Sequence, residues 1–186
     1  YIVTKMTTLR QFKCEDLFCF NNVNLDPLTE TYGLPFYLTY LAHWPEYFQV
    51  AESPEGRIMG YIMGKAEGHL ATEQWHGHVT CLSVSPEFRR LGLAASLMRG
   101  LEDISEIKKC FFVDLFVRES NDIAVNMYKK LGYVIYRTVL EYYSGDPDEN
   151  AYDMRKALSR DVHRKSVIPL SYPVRPERLR RRKRRR

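Results

Sequence analysis

One turn between a strand and a helix constrains the fold more than any other stretch of this 186-residue chain. Residues 79–85 form an apolar, β-branched run typical of a strand, and an amphipathic helical pattern begins a few residues later. Residues 89–94 therefore lie in the turn, where the first N–H groups of the helix have no partner within it. Small side chains would let a ligand reach that backbone at Gly92, Ala94 and Ala95. The turn is predicted to hold a phosphate, with positive charge added by Arg89 and Arg90.

The same turn has a simpler interpretation, an ordinary helix start with one glycine and two solvated arginines, and its spacing does not separate the two. A nucleotide-binding P-loop is excluded, because no Gly-Lys-Ser or Gly-Lys-Thr follows. Leu91 also stands where such a loop would need a glycine-rich spacer. The turn therefore predicts anion binding without the motif of a nucleoside triphosphatase.

The composition predicts one intracellular domain that does not enter a membrane. An apolar content of 45% suffices for one well-packed core, and no apolar stretch reaches the roughly 20 residues that span a bilayer. The four cysteines stand apart in sequence and are expected to be reduced: Cys14, Cys19, Cys81 and Cys110. Residues 178–186 carry eight positive charges and no acid, which exceeds the net charge of +5 of the whole chain. The rest of the chain is therefore net acidic, and the high pI belongs to the tail.

Hydrophobic periodicity predicts the order of the elements. The expected elements are a strand at 8–12, helices at 15–22 and 35–44, a hairpin of strands at 47–52 and 58–65, the strand before the turn, the helix after it, a strand at 110–117, a helix at 121–131 and strands at 133–143 and 151–156. Residues 159–186 lack the apolar density to order themselves and are expected to form an extended or disordered basic tail. Residues 1–5 precede Met6 and are treated as an extension, so the predicted domain spans residues 6–158.

Three groups of residues are candidates for binding or catalysis. Glu30 and Tyr32 lie on a loop between two predicted helices, where binding residues are common. His76 and His78 share one face of the central strand, either as metal ligands that lack a third ligand nearby in sequence or, as we prefer, with one of them as a polar active-site residue. Cys81 is a candidate nucleophile, but its strand setting offers no evident activating partner.

Two motifs resemble the GCN5-related N-acetyltransferase (GNAT) superfamily. The pattern Arg-x-x-Gly-x-Ala at Arg89, Gly92 and Ala94 resembles the loop that binds the pyrophosphate of acetyl-CoA. The second signature of that superfamily is matched by Asn121, Ala124, Tyr128 and Leu131-Gly132-Tyr133. The order of elements matches as well. The resemblance implies an α/β (α+β) fold with a central mixed, mostly antiparallel sheet flanked by helices.

Other stretches are more closely similar to the catalytic subunits of N-terminal acetyltransferase B (NatB) complexes. These stretches are residues 25–33, 43–47, 75–80 and 141–143. The resemblance covers residues 6–177 and omits the first five residues and the arginine run from Arg178. It implies transfer of acetyl from acetyl-CoA, without a metal, directly to the α-amino group of protein N-termini that start Met-Asp, Met-Glu, Met-Asn or Met-Gln. The implied partners are a helical-repeat auxiliary subunit, the ribosome and nascent chains, with no membrane. The expected location is the cytoplasm, and also the nucleus if the tail is an import signal.

The resemblance also implies roles for individual residues. His78 is the expected relay base or substrate contact, and Tyr128 the donor to the departing thiolate. Cofactor contacts are expected at Leu82, Val84, Arg89, Arg90, Leu91, Gly92, Leu93, Ala94, Ala95 and Asn121. Substrate contacts are expected at Glu30, Tyr32, Gly33, His78, Tyr142 and Tyr143. An aromatic group either meets the auxiliary subunit or packs in the core: Phe18, Phe20, Phe36, Tyr37 and Tyr40.

Two other functions stay open at this point. One is a GNAT enzyme that acetylates lysine or small amines. The other is an RNA-binding or ribosome-binding protein that acts through residues 178–186, with salt-dependent affinity. The same run also fits a nuclear-import signal or a cloning remnant.

Overall fold

The computed structural model describes residues 7–25 and 28–176. The expectations for residues 1–5 and for the arginine run at 178–186 lie outside the described residues. The α-helices and strands are β1 (Thr8–Gln11), α1 (Leu34–His43), β2 (Phe48–Glu52), β3 (Ile58–Glu67), β4 (His76–Val84), α2 (Leu93–Ile107), β5 (Phe112–Arg118), α3 (Asp122–Lys130), β6 (Val134–Tyr143) and β7 (Glu149–Ala157). Within the described ranges, no helix combines the length and the apolar content needed to cross a bilayer.

The chain forms two compact units. Unit 1 comprises the described residues of Tyr1–Ala66 together with Val79–Ile107, and unit 2 comprises those of Glu67–His78 and Lys108–Arg186. Strand β4 therefore contributes its first three residues to unit 2 and the others to unit 1. The expected domain boundaries at residues 5 and 158 stay predictions.

In unit 1, the order of strands is β1-β2-β3-β4, and β2 pairs antiparallel with both β1 and β3. The hairpin of β2 and β3 and the helix α1 confirm the corresponding predictions. An aromatic cluster fills the core beneath these strands, where Phe12 stacks on Phe48 at 3.9 Å and Phe20 lies 5.3 Å from the rings of Tyr37 and Tyr61. Phe20, Tyr37 and Tyr40 thus pack in the core, whereas Phe18 and Phe36 are exposed.

The helix expected over residues 15–22 is wrong. Two 3₁₀-helices, Cys14–Phe18 and Asn21–Asn24, occupy this stretch. The buried apolar side chains recur every third position, at Leu17, Phe20 and Val23, which matches the three residues per turn of a 3₁₀-helix. Asp16 fixes the first turn, because its carboxylate accepts a hydrogen bond from the Lys13 N–H at 2.8 Å and binds Arg10 at 2.7 Å.

In unit 2, β7 lies between β5 and β6 and pairs antiparallel with both. Helix α3 follows β5, and Asn121 caps its start by accepting a hydrogen bond from the Ala124 N–H at 3.1 Å. Gly132 follows the helix with a φ of +93°, a conformation that glycine adopts without strain. The structure confirms the sequence prediction for the limits of this helix.

The composition predicts an extended or disordered tail, and part of residues 159–176 is extended and ordered along a strand. We call residues 168–176 the C-terminal strap. Backbone hydrogen bonds join it to β6, from the Leu170 N–H to the Tyr136 oxygen at 2.7 Å and from the Val174 N–H to the Thr138 oxygen at 3.0 Å. The Val174 side chain is buried against the side chains of Val139 and Ala151. A strand edge thus orders a segment that has too few apolar residues to form its own core.

Candidate active site

The turn after β4 has the backbone geometry of an anion site. A 3₁₀-helix at Pro86–Phe88 leads into it, and both Arg90 (φ +66°) and Gly92 (φ +82°) adopt left-handed conformations. No atom lies within 4 Å of the position that a Cβ would take at Gly92. The first intrahelical bond of α2 runs from the Ser96 N–H to the Gly92 oxygen at 3.0 Å, so the preceding amides of the helix are available to a ligand. These amides belong to Leu93, Ala94 and Ala95.

One side chain of this turn holds the backbone in place, and two others extend into solvent. Arg89 donates from Nε to the Val84 oxygen at 3.1 Å and so shapes the turn. Arg90 and Leu91 are exposed. Along β4, Leu82 and Val84 are half-buried and lie on the face opposite to the buried Cys81 and Ser83. The structure therefore places the predicted cofactor residues of unit 1 on one strand, its turn and the next helix.

Cys81 lies on the buried face of β4 and does not fit a nucleophile. Its Sγ lies 3.2 Å from the Tyr61 hydroxyl. Burial raises the pKa of the Cys81 thiol to about 11, so the thiolate is disfavoured near neutral pH. The setting of Cys81 therefore argues against an acyl-enzyme at this residue.

The loop before α1 carries the predicted substrate contacts of unit 1. Glu30 and Gly33 are exposed, and Tyr32 is half-buried with its ring stacked on Phe36 at 4.2 Å. The Tyr32 N–H donates to the Tyr37 hydroxyl at 3.2 Å, which ties the loop to the core. Gly33 is the N-cap of α1, and its oxygen accepts from the Phe36 N–H at 3.0 Å. The loop is thus a fixed support with two exposed positions.

In unit 2, three predicted residues meet around the ring of Phe116. That ring lies 5.8 Å from the His78 ring and stacks on Tyr142 at 4.7 Å. Tyr143 contacts Tyr142 edge to face at 5.0 Å, and its hydroxyl donates to the Phe116 oxygen at 3.2 Å. The guanidinium of Arg118 covers Tyr143 at 4.2 Å. The structure therefore brings His78, Tyr142 and Tyr143 together, and the sequence analysis missed Phe116 as their common neighbour.

Asp114 is a second residue that the sequence analysis did not assign to the site. Its Oδ1 lies 2.7 Å from His78 Nδ1, and its Oδ2 lies 3.5 Å from His76 Nε2. Burial raises the pKa of the Asp114 carboxyl, but the adjacent rings of His76 and His78 and the hydrogen bond from His78 outweigh this effect and hold the pKa well below its usual range. A carboxylate in a strand that is otherwise apolar signals such a partner, because a buried charge requires one.

His76 is held between two carboxylates. Its Nε2 lies 3.5 Å from both Glu67 and Asp114, and its Nδ1 lies 2.6 Å from the Gln74 oxygen. Burial lowers the pKa of His76, but the two carboxylates outweigh this effect and the net shift is upward. In the described part of the chain, no three histidine, cysteine, aspartate or glutamate side chains are arranged to hold a metal ion.

Tyr128 and Asn121 lie on α3 and at its start. Tyr128 is buried and meets the Tyr133 ring at 5.9 Å. The Asn121 side chain serves as the helix cap described above. The expected roles of these two residues in thiolate protonation and cofactor binding stay predictions.

Comparisons with known proteins place these features in one family. A family model described as the Acetyltransferase (GNAT) family matches residues 14–133. The N-terminal acetyltransferase B complex catalytic subunit NAA20 of Arabidopsis thaliana is 63% identical over 175 residues, which cover 94% of this chain and 98% of the relative.

Solved structures give the same result. The structure of Chaetomium thermophilum Naa20 in complex with a bisubstrate analogue has a TM-score of 0.87 and 44% identity, with coverage of 92% of this chain and 98% of that chain. A structure of the NatB acetyltransferase complex bound to CoA and MES has a TM-score of 0.74 and 42% identity, over 81% and 99% of the two chains. These matches confirm the α/β fold that the sequence predicts.

Proposed function

The chain belongs to the acetyltransferase (GNAT) family, as a catalytic N-terminal acetyltransferase of the NatB type, and from this we propose its donor and its acceptors. The donor is acetyl-CoA. The acceptors are protein N-termini that start Met-Asp, Met-Glu, Met-Asn or Met-Gln. The geometry of the turn before α2 is the observation that carries the proposal, and a relative of this chain has been solved with CoA.

The turn suits the diphosphate of CoA in three respects. The space beside Gly92 is open. The backbone at Arg90 and Gly92 is left-handed, as it is in many turns whose amides bind anions. Helix α2 is 15 residues long, so its amide dipoles add at the N-terminus. We assign the diphosphate contacts to Leu93, Ala94 and Ala95. The backbone of β4 near Leu82 and Val84 then binds the pantetheine amides and the thioester oxygen.

The reaction requires a neutral amine and an outlet for one proton. A free α-amino group has a pKa of roughly 7.7 to 8.0, so part of it is neutral at cellular pH. Its nitrogen attacks the thioester carbon, a C–N bond forms and the C–S bond breaks. The nitrogen gives up a proton to Nε2 of His78, directly or through one water, and the departing thiolate takes a proton from the Tyr128 hydroxyl. Solvent exchange then carries the proton from His78 back to Tyr128, and the products are the acetylated peptide and CoA.

We assign substrate contacts within each unit by itself. In unit 1, Glu30, Tyr32 and Gly33 contact the first residue of the peptide. In unit 2, the rings of Phe116 and Tyr142 form an apolar surface for the methionine. The Tyr143 hydroxyl already donates to the Phe116 oxygen. We therefore assign the hydrogen bond to the short polar second side chain to the Tyr142 hydroxyl. A donor that the bound peptide covers without supplying an acceptor costs binding energy, which selects Asp, Glu, Asn and Gln at that position.

We also propose that the chain works with an auxiliary subunit of helical repeats, at the ribosome, in the cytoplasm. Exposed apolar side chains in unit 1 support such an interface, since they gather near α1 and the 3₁₀-helices. They include Phe18, Leu25, Leu34 and Leu38. A nuclear pool would follow if residues 178–186 act as an import signal.

A peptide panel tests the proposed function. The chain, with and without an auxiliary subunit, is assayed with acetyl-CoA on peptides starting Met-Asp, Met-Glu, Met-Asn, Met-Gln, Met-Lys and Ser-Gly, each with a free or a blocked α-amine. We expect acetylation of the first four only, and only with a free α-amine. Acetylation of a lysine side chain in the blocked peptides would instead favour the amine-acetylating alternative.

Deletion of residues 178–186 tests the remaining alternative. We expect unchanged acetylation of the Met-Asp peptide, because the candidate active-site residues lie outside this run. Loss of acetylation together with salt-dependent RNA binding by the full chain would favour the RNA-binding function.

A further inference from the structure

The buried polar groups of unit 2 form one continuous row that ends at His78. Glu67 contacts His76, His76 contacts Asp114, and Asp114 contacts His78. The side chains of His76 and His78 are each 14% exposed, and that of Asp114 is 8% exposed. Water therefore has little access to the row, and the protein itself determines where its protons lie.

The hydrogen atom on His78 is fixed by this contact. A neutral imidazole donates from one nitrogen and accepts at the other. Because Nδ1 faces a carboxylate oxygen at 2.7 Å, it must carry the hydrogen, which leaves Nε2 as the acceptor. The opposite tautomer would place two lone pairs against each other.

The charges around the row balance when His78 is neutral. Opposite Asp114 in the strand pairing lies Arg155, which binds Asp153 at 3.1 Å, and Asp153 in turn binds Arg137 at 2.8 Å. His76 counts as a cation, because both of its ring nitrogens face acceptors. Among the described residues, these contacts then join three carboxylates to three cations: Glu67, Asp114 and Asp153 to His76, Arg137 and Arg155. A proton arriving at His78 is then stabilised by the adjacent Asp114.

We propose that Asp114 is the positioning residue for His78: it fixes the tautomer that presents Nε2 to the amine, and His76, held by Glu67, keeps the carboxylate of Asp114 ionised. This inference rests on the proposed function of His78 as proton acceptor. It assigns to two buried side chains a part in the reaction that does not require them to touch the substrate.

The first test is spectroscopic and does not depend on activity. Long-range ¹H–¹⁵N correlation spectra of the full chain, labelled with ¹⁵N in histidine, report the protonation of each ring nitrogen, and His76→Gln and His78→Gln assign the signals. At pH 7.5 we expect His78 with the hydrogen on Nδ1, and His76 protonated at both nitrogens to a larger extent than a free imidazole at that pH. A hydrogen on Nε2 of a neutral His78 would overturn the proposal, even in a chain that acetylates peptides.

The second test is kinetic. Asp114→Asn removes the charge but keeps the size, and we expect kcat for a Met-Asp peptide to fall about 10- to 100-fold, the range for supporting residues of this kind. The KM for acetyl-CoA should stay unchanged. Asp114→Glu, which restores a carboxylate, should recover part of kcat.

Asp161→Asn is the matched control. Asp161 is also a buried carboxylate of unit 2, where it accepts hydrogen bonds from Ser166 and from the Lys165 N–H. This variant should lose stability but keep kcat. The proposal would be overturned if the wild-type chain is active and neither Asp114→Asn nor Asp161→Asn changes kcat. An inactive wild-type chain would instead refute the proposed function itself.

Discussion

Neighbouring residues of β4 differ in chemistry because they face opposite sides of the strand. Cys81 lies on the buried face among aromatic side chains, and Tyr61 is its nearest polar contact. His78 lies three residues earlier on the other face and contacts a carboxylate. Both are reactive residue types, but only His78 has a partner that prepares it for proton transfer.

Substitution of Cys81 tests this difference. We expect Cys81→Ala to lower the melting temperature, since it leaves a small cavity, but to keep kcat, because a thiol with a pKa of about 11 takes no part in the reaction. Mass spectrometry of the wild-type chain mixed with acetyl-CoA alone should find no acetylated Cys81. An acetylated cysteine that disappears when peptide is added would contradict direct transfer.

At the scale of elements, the pattern of apolar residues predicted the strands and the three α-helices but not the segments that depend on distant partners. The phosphate turn is local, since Gly92 and the helix behind it follow from a short stretch of sequence. The 3₁₀ segments were predicted as a helix because Leu17 and Phe20 also fit a period of 3.6. The C-terminal strap was missed because its order comes from backbone bonds to β6, which no side-chain pattern reports. Phe116 and Asp114 were missed for a related reason, since only strand pairing brings them to His78.

A pair of valines tests the strap. Both lie in the segment expected to be extended or disordered, but Val174 is 6% exposed and Val162 is 79% exposed. We expect Val174→Ala to lower the free energy of unfolding by about 1–2 kcal/mol, because it removes two buried methyl groups. Chemical denaturation should show no change for Val162→Ala. Equal stability of the two variants would mean that the strap does not pack on β6.

At the scale of the whole molecule, buried ionisable groups make stability depend on pH from both sides. The pKa of Asp114 is lowered from 3.8, so its contribution is present above that pH and is lost as the pH falls through the depressed pKa. The pKa of His76 is raised from 6.5, so its contribution is fully present below that pH and is lost as the pH rises through the raised pKa. Stability should therefore be greatest between these two ranges.

Substitution of His76 tests the alkaline side. Urea denaturation of the wild-type chain should give a free energy of unfolding that declines as the pH rises above 6.5. His76→Gln should be less stable at pH 6 and should lack this decline, whereas His69→Gln, at an exposed position, should behave like the wild type. A decline that persists in His76→Gln would assign it to another group.

A calorimetric comparison of two glycine variants tests the central claim, that the turn before α2 binds the diphosphate of acetyl-CoA. Gly92 (φ +82°) and Gly56 (φ +81°) have the same left-handed backbone and open space beside them, but Gly56 lies in the β2–β3 hairpin. Gly92→Ala and Gly56→Ala should each lower the free energy of unfolding by about 1–2 kcal/mol, because alanine is strained in a left-handed backbone. With the auxiliary subunit present, Gly92→Ala should raise the Kd for CoA at least about tenfold, while Gly56→Ala should bind CoA as the wild type does. Equal affinity in all three chains, or no CoA binding by the wild type, would contradict the account.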